Sequence, residues 1–270
     1  MLFFWLFLLA GAAAAAGILL AGGGVLLSIL GFVLGFVLAL LLTLVVVRIL
    51  TRKTDLSQPD AVQNPVARRG CAVTGEILCT LGGVRADLRG LEKLPKEGRF
   101  LFVCNHRSFF DPLIVMAHQN DWNISFVSKP SNMRIPLAGP AAQTAGFLGI
   151  DRENDRNALR TILTAADYLK RDLCSIGVYP EGTRSHTKEM LPFHKGSFKI
   201  AQRGNVPLVV AGISGSEKLK QGYFLHPHTV ILEILDVIPA AEVKAASTAE
   251  LSERSRALIQ AFLDREEAQA

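Results

Sequence analysis

The first 47 residues carry no charged side chain, and only Ser28 and Thr43 interrupt a run of apolar residues and glycine. Few folds accept such a stretch. An α-helix rises about 1.5 Å per residue, so about 20 apolar residues cross the roughly 30 Å hydrocarbon core of a bilayer. The run is long enough for two such helices, expected near residues 2–21 and 25–47, with Gly22-Gly23-Gly24 as the turn between them. A cleavable signal peptide fits poorly: no Lys or Arg precedes Arg48, and the apolar core is too long. A single long helix, or a hairpin lying shallow in the interface, satisfies the same composition, because Ala- and Gly-rich segments insert weakly.

Arg48, Arg52, Lys53, Arg68 and Arg69 all follow the second apolar segment. Basic flanks stay cytoplasmic, so a hairpin in the inner (cytoplasmic) membrane is expected to leave the rest of the chain facing the cytoplasm. Every charge lies in residues 48–270, enough for one domain with a sizeable core. The balance is mildly basic, +5. Lysines and arginines near the membrane are attracted to anionic lipid. No basic helix interleaved with aromatics and no metal-finger spacing occurs, so a nucleic-acid partner is not expected. The four cysteines, Cys71, Cys79, Cys104 and Cys174, form no CxxC pair and read as reduced, buried thiols.

The organisation expected is an anchoring hairpin over 1–50, a linker over 51–82 and the domain that carries the chemistry over 83–270. Residues 52–66 are polar and punctuated by proline. Beyond them, strand-like runs near 83–88, 99–104, 123–128, 173–179, 206–212 and 229–237 alternate with helical ones. Leu159, Ile162, Leu163, Ala166 and Leu169 keep a helical rhythm over about 156–171. A second helix follows Lys195 and stops before Gly204-Asn205. Ser247 and Glu250 have the spacing of a capping box, opening a helix that runs to about Arg265. Strands alternating with helices predict an α/β fold, a largely parallel central sheet flanked by helices, behind the apolar hairpin.

Two stretches that follow strand-like runs carry chemistry. In Asn105-His106-Arg107-Ser108-Phe109-Phe110-Asp111, an imidazole suited to accepting a proton near pH 7 has a carboxylate five residues on. Asp111 is suited to hold the second ring nitrogen, and equally to cap a helix that has Pro112 in its first turn. A histidine and an aspartate at this spacing often occur together by accident. The second stretch, Pro180-Glu181-Gly182-Thr183-Arg184-Ser185, turns sharply to present a guanidinium, whose planar fork matches phosphate. Arg152, Lys129 and Lys195 are further candidates for phosphate, or ordinary ion-pair partners. Cys104 ends an apolar run and reads as a packed core thiol rather than a nucleophile.

Taken in order, the blocks Asn105 to Asp111, Gly146 to Arg152, Tyr179 to Ser185 and Val206-Pro207-Leu208-Val209 resemble those of the glycerolipid acyltransferases. The match is nearest to the 1-acylglycerol-3-phosphate (lysophosphatidate) acyltransferase branch and covers about residues 83–215. The resemblance implies an acyl-CoA or acyl-carrier-protein donor, a membrane-borne lysophospholipid acceptor and phosphatidate as product. It implies His106 as general base, Asp111 as its orienting partner, and Glu181, Gly182, Thr183 and Arg184 as the acceptor phosphate site. Asn105, Lys129 and Lys195 stand as supporting positions. No metal, cofactor or covalent acyl-enzyme is expected. Tyr179 stands where the family usually has Phe, and Gly149 where it has a bulky apolar residue. Glycerol 3-phosphate and lyso-aminolipids remain alternative acceptors. A thioesterase or lipid hydrolase would use the same His106 and Asp111 on water, yet leaves Arg184 without a purpose. A silent lipid-binding scaffold gives no reason to keep both His106 and Asp111.

Overall fold

The computed structural model describes residues 2–51, 62, 64–117, 122–136, 138–151, 154–185, 187, 189–221 and 227–269. Residues 52–61 and 63 of the expected linker lie outside the described residues.

Two apolar helices open the chain, α1 (Leu2–Leu20) and α2 (Val25–Thr51). They fold back on one another through small residues. A Cβ on Gly35 would lie 3.0 Å from Ala14 Cβ and 3.1 Å from the Ala10 carbonyl oxygen, so this close approach depends on the missing side chain. The two polar side chains of the run are satisfied within their own helix: Ser28 Oγ donates to the Gly24 carbonyl at 3.2 Å and Thr43 Oγ1 to the Ala39 carbonyl at 2.9 Å. Neither hydroxyl is left to seek water, as an apolar medium demands. Among the described residues one helix, Val25–Val46 within α2, is long and apolar enough to cross a membrane, and the apolar part of α1, Trp5–Leu20, is shorter.

Helix α3 (Pro65–Leu81) occupies the stretch that the sequence reading assigns to a linker. Its start is locally encoded: Asn64 Oδ1 accepts from the N–H groups of Val66 and Ala67 at 3.0 and 3.1 Å, with Pro65 opening the first turn. Gly70, Thr74, Gly75 and Thr80 dilute its apolar rhythm, which is why periodicity alone passes over it. Phe7 of α1 and Phe36, Ala39 and Leu40 of α2 pack on Val73 and Ile77 of α3. The hairpin is therefore seated on the domain rather than tethered beside it.

Seven strands follow: β1 (Val84–Arg89), β2 (Leu101–Cys104), β3 (Ile124–Ser128), β4 (Leu148–Gly149), β5 (Ser175–Val178), β6 (Leu208–Ser214) and β7 (His228–Ile238). Their order in the sheet is β1-β7-β6-β2-β5-β3-β4. The five from β6 to β4 are parallel, while β7 runs antiparallel to β6 and parallel to β1. The largely parallel sheet flanked by helices is the fold the sequence predicts.

Alternation along β2 divides the core. Leu101 and Val103 join one apolar cluster, with Ala165 and Leu169 of α6 (Asp155–Lys170), Ile200 of α7 (Lys199–Gly204), Val243 of α8 (Ala240–Ala245) and Phe262 of α9 (Thr248–Ala268). Phe102 and Cys104 join the other, with Cys71 of α3 and Ile114 of α4 (Phe110–Ala117), and Ala142 of α5 (Ala138–Thr144) packs against it. Such two-sided burial explains why these strands read as continuous apolar runs. The expected stops hold: Asn205 closes α7 in the left-handed conformation at φ 55°, and Ser247 and Glu250 form a reciprocal capping box at the start of α9.

Candidate active site

Parallel strands send all their carboxyl ends to one edge, and in open α/β sheets ligands bind outside that edge. β2 ends at Cys104 and β5 at Val178, and the two strands are neighbours with Val103 opposite Val178. The histidine stretch and the arginine turn, 75 residues apart in sequence between His106 and Glu181, leave this edge side by side. β3 delivers Ser128 and Lys129 to the same edge.

The His106 ring is held at one edge and on one face. Its Nδ1 lies 2.9 Å from Asp111 Oδ2. That oxygen also accepts the N–H groups of Arg107 at 2.7 Å and Ser108 at 2.8 Å. Asp111 is fully buried. It lies inside the first turn of α4 and reaches backward to the preceding loop. An N-cap side chain would bond forward into the helix, so the capping alternative is replaced by a clasp on the histidine loop. Ser108 supports the helix start, its Oγ accepting the Phe110 N–H at 3.3 Å. The imidazole face stacks on Tyr179, with ring centroids 4.4 Å apart at 24°, and Tyr179 stacks in turn on Phe126.

The backbone of His106 is tied to the arginine turn. Its N–H donates to Glu181 Oε1 at 2.6 Å, and its carbonyl accepts the Ser185 N–H at 2.8 Å. Glu181 Oε2 accepts the Leu191 N–H at 2.8 Å. Burial pushes the Glu181 carboxyl up from the usual range, and the His106 and Leu191 N–H donors pull it back toward the ionised form. One position earlier, the side chain of Asn105 is spent on β6: Nδ2 donates to the Ile213 carbonyl at 2.9 Å, and Oδ1 accepts the Ile213 N–H at 2.8 Å. Asn105 thus extends the β2–β6 ladder one residue past the end of β2.

Gly182 turns at φ 78°, a conformation that favours glycine, and its N–H closes the turn on the Tyr179 carbonyl at 2.9 Å. Thr183 and Arg184 emerge exposed. Among the described residues Arg184 makes no ion pair, so its guanidinium is available to a ligand.

These groups stand at the polar end of a cavity of about 500 Å³ lined by His106, Lys129, Gly182, Thr183 and Arg184. Its other arm is apolar and runs between helices, past Leu40 and Leu44 of α2, Val73 and Leu78 of α3, and Met116 of α4. The contribution of α2 is the part of the site that sequence reading missed: nothing local in an unbroken apolar helix marks Leu40, Thr43 and Leu44 as lining a cavity.

The remaining candidates are placed as follows. Glu181 does not line the cavity, since both of its oxygens are turned to backbone N–H groups. Lys195 is exposed at the start of the short 3-10 turn Lys195–Phe198, outside the cavity wall. Arg152 lies outside the described residues. Gly149 sits against Pro130 and Met133, where a Cβ would meet Pro130 Cα at 3.3 Å. Cys104 is fully buried; burial pushes its thiol well above the usual range, and the Asp111 and Glu181 carboxylates push it further, so it is a packed thiol rather than a nucleophile. Among the described residues no group of three or more His, Cys, Asp or Glu is arranged to hold a metal ion.

A family model described as Acyltransferase matches residues 85–214. A Caenorhabditis elegans protein named as a putative 1-acyl-sn-glycerol-3-phosphate acyltransferase is 30% identical over 181 residues, 66% of this chain and 64% of that protein. The 1-acyl-sn-glycerol-3-phosphate acyltransferase of Salmonella typhimurium is 30% identical over 195 residues, 71% of this chain and 79% of its own length. The crystal structure of the 1-acyl-sn-glycerophosphate acyltransferase PlsC from Thermotoga maritima superposes with a TM-score of 0.63 at 22% identity, covering 75% of this chain and 80% of that one, a likeness of fold. With these relatives and this match, the chain belongs to the 1-acyl-sn-glycerol-3-phosphate acyltransferase family.

Proposed function

We propose that the chain transfers a fatty acyl group from acyl-CoA or an acyl-carrier protein to the free hydroxyl of lysophosphatidate, giving phosphatidate for phospholipid synthesis. One arrangement carries this: the His106–Asp111 pair, 2.9 Å apart, stands where an apolar cavity meets the exposed Arg184. An acyl chain fits the apolar arm and a phosphate the polar rim.

His106 Nε2 takes the proton of the acceptor hydroxyl, while Asp111 fixes the ring and stabilises the imidazolium. The oxygen attacks the thioester carbonyl, the C–S bond breaks, and the thiolate leaves with the proton that His106 returns. A positioned base contributes about 10²–10⁴-fold. Gly182, Thr183 and Arg184 hold the phosphate, with Lys129 and Arg152 adding positive charge and Lys195 supporting from the adjoining turn. Asn105 keeps the histidine loop at its height above β6. The apolar hairpin anchors the chain in the inner (cytoplasmic) membrane, with Arg48 and the domain on the cytoplasmic side, so that lysolipid reaches the cavity from the bilayer.

The test is transfer from a labelled long-chain acyl-CoA by membranes containing the protein, with and without lysophosphatidate, beside the His106→Ala variant. Labelled phosphatidate that needs both the acceptor and His106 is the expected result. Free fatty acid formed without regard to acceptor would assign a hydrolase instead.

A further inference from the structure

A carboxylate is an unsuitable ligand for phosphate, since both are anions and repel at contact distance. The resemblance nevertheless assigns Glu181 to the phosphate site together with Arg184. The geometry separates the two. Arg184 is exposed and lines the cavity, whereas Glu181 is 3% exposed and does not line it. Both Glu181 oxygens are occupied, Oε1 by the His106 N–H at 2.6 Å and Oε2 by the Leu191 N–H at 2.8 Å. The same turn receives the His106 carbonyl through the Ser185 N–H at 2.8 Å, and the Pro180 carbonyl accepts the His194 N–H at 2.8 Å. Three segments that are distant in sequence, the histidine loop, the arginine turn and residues 191–194, therefore meet on this one carboxylate and its neighbours.

We infer that Glu181 is a positioning residue for His106, which sets where the imidazole stands relative to the phosphate anchor, and that it does not contact the acceptor. The inference rests on the assignment of His106 as base. It follows from the directions of the hydrogen bonds. A charged acceptor on the His106 N–H fixes the backbone from which the ring projects. The second oxygen fixes the carboxylate itself, and a base misplaced by about 1 Å loses about 100-fold in rate. Gln in its place supplies only one acceptor oxygen for two N–H donors, so one of the two contacts opposes donor to donor.

The experiment compares full-length wild type, Glu181→Gln, Arg184→Ala and His106→Ala in detergent micelles, with acyl-CoA and lysophosphatidate, recording kcat and acceptor KM separately along with the thermal midpoint. Glu181→Gln is expected to lower kcat about 10- to 100-fold with acceptor KM within about twofold of wild type, whereas Arg184→Ala raises acceptor KM. If Glu181→Gln does not fold, Glu181→Asp, which keeps the charge and shortens its reach, is judged by the same split. A Glu181 variant that raises acceptor KM as Arg184→Ala does, or leaves both constants unchanged, overturns the positioning role alone. Transfer that survives in His106→Ala overturns the assignment of the base, and the positioning role falls with it.

Discussion

The ring of Tyr179 lies against the imidazole of His106 with centroids 4.4 Å apart, and behind it Phe126 lies nearly parallel at 5.6 Å. The stack braces one face of the histidine, while Asp111 holds its edge. A ring is what this position supplies; the hydroxyl has no such purpose. Among the described residues the buried Tyr179 oxygen has no hydrogen-bond partner, and burial pushes its phenol well above the usual range.

Tyr179→Phe is therefore expected to keep acyl transfer near wild type and to raise the thermal midpoint, since it removes a polar atom whose burial costs about 1–3 kcal/mol. Tyr179→Ala loses the stack and is expected to lower kcat. A drop in transfer on Tyr179→Phe would show that the hydroxyl takes part in the reaction.

Arg184→Ala should act on binding of the phosphate. A charge-assisted hydrogen bond contributes about 1.5–3 kcal/mol, so acceptor KM is expected to rise about 10- to 150-fold for lysophosphatidate. Acceptors that lack phosphate should be indifferent to the change. Equal loss on both kinds of acceptor in steady-state assays would remove Arg184 from the phosphate site.

Asn105→Ala strands the Ile213 N–H and carbonyl in a region with no access to water, at a cost of about 2–4 kcal/mol. Denaturation in detergent micelles is expected to show a clear fall in stability, larger than that of His106→Ala, which removes a ring at the cavity wall and strands no backbone pair. Unchanged stability would mean that the β2–β6 ladder holds without its side-chain extension.

Leu44 lines the apolar arm from α2. Leu44→Trp narrows that arm, and competition between acyl-CoA donors of different length is expected to shift toward shorter chains. If the preference is unmoved, the acyl chain does not use the part of the cavity that α2 walls.

Much of this architecture is legible without coordinates because it is written in neighbouring residues. The uncharged run before Arg48, the capping box at Ser247 and Glu250 and the stop at Gly204-Asn205 each depend on residues within one or two turns. Helix α3 escaped because glycine and threonine blur its apolar face, although its cap, Asn64 before Pro65, was in plain view. Asp111 showed two compatible local roles in the sequence. In the structure its bonds run backward to Arg107 and Ser108.

By itself the sequence determined the α/β class, the apolar hairpin and the family, and it named the candidates for the chemistry. The tertiary structure decided which of them meet. β2 and β5 are separated in the chain by β3 and β4, yet pair directly, with Val103 opposite Val178. That pairing brings Glu181 to the His106 N–H, Tyr179 to its ring and Ser185 to its carbonyl. The seating of α2 on α3 brings Leu40 and Leu44 into the cavity wall. Periodicity and capping are local energies and leave a local signature. Strand order and helix docking are settled by packing between residues far apart in the chain, whose partners no single stretch of sequence names.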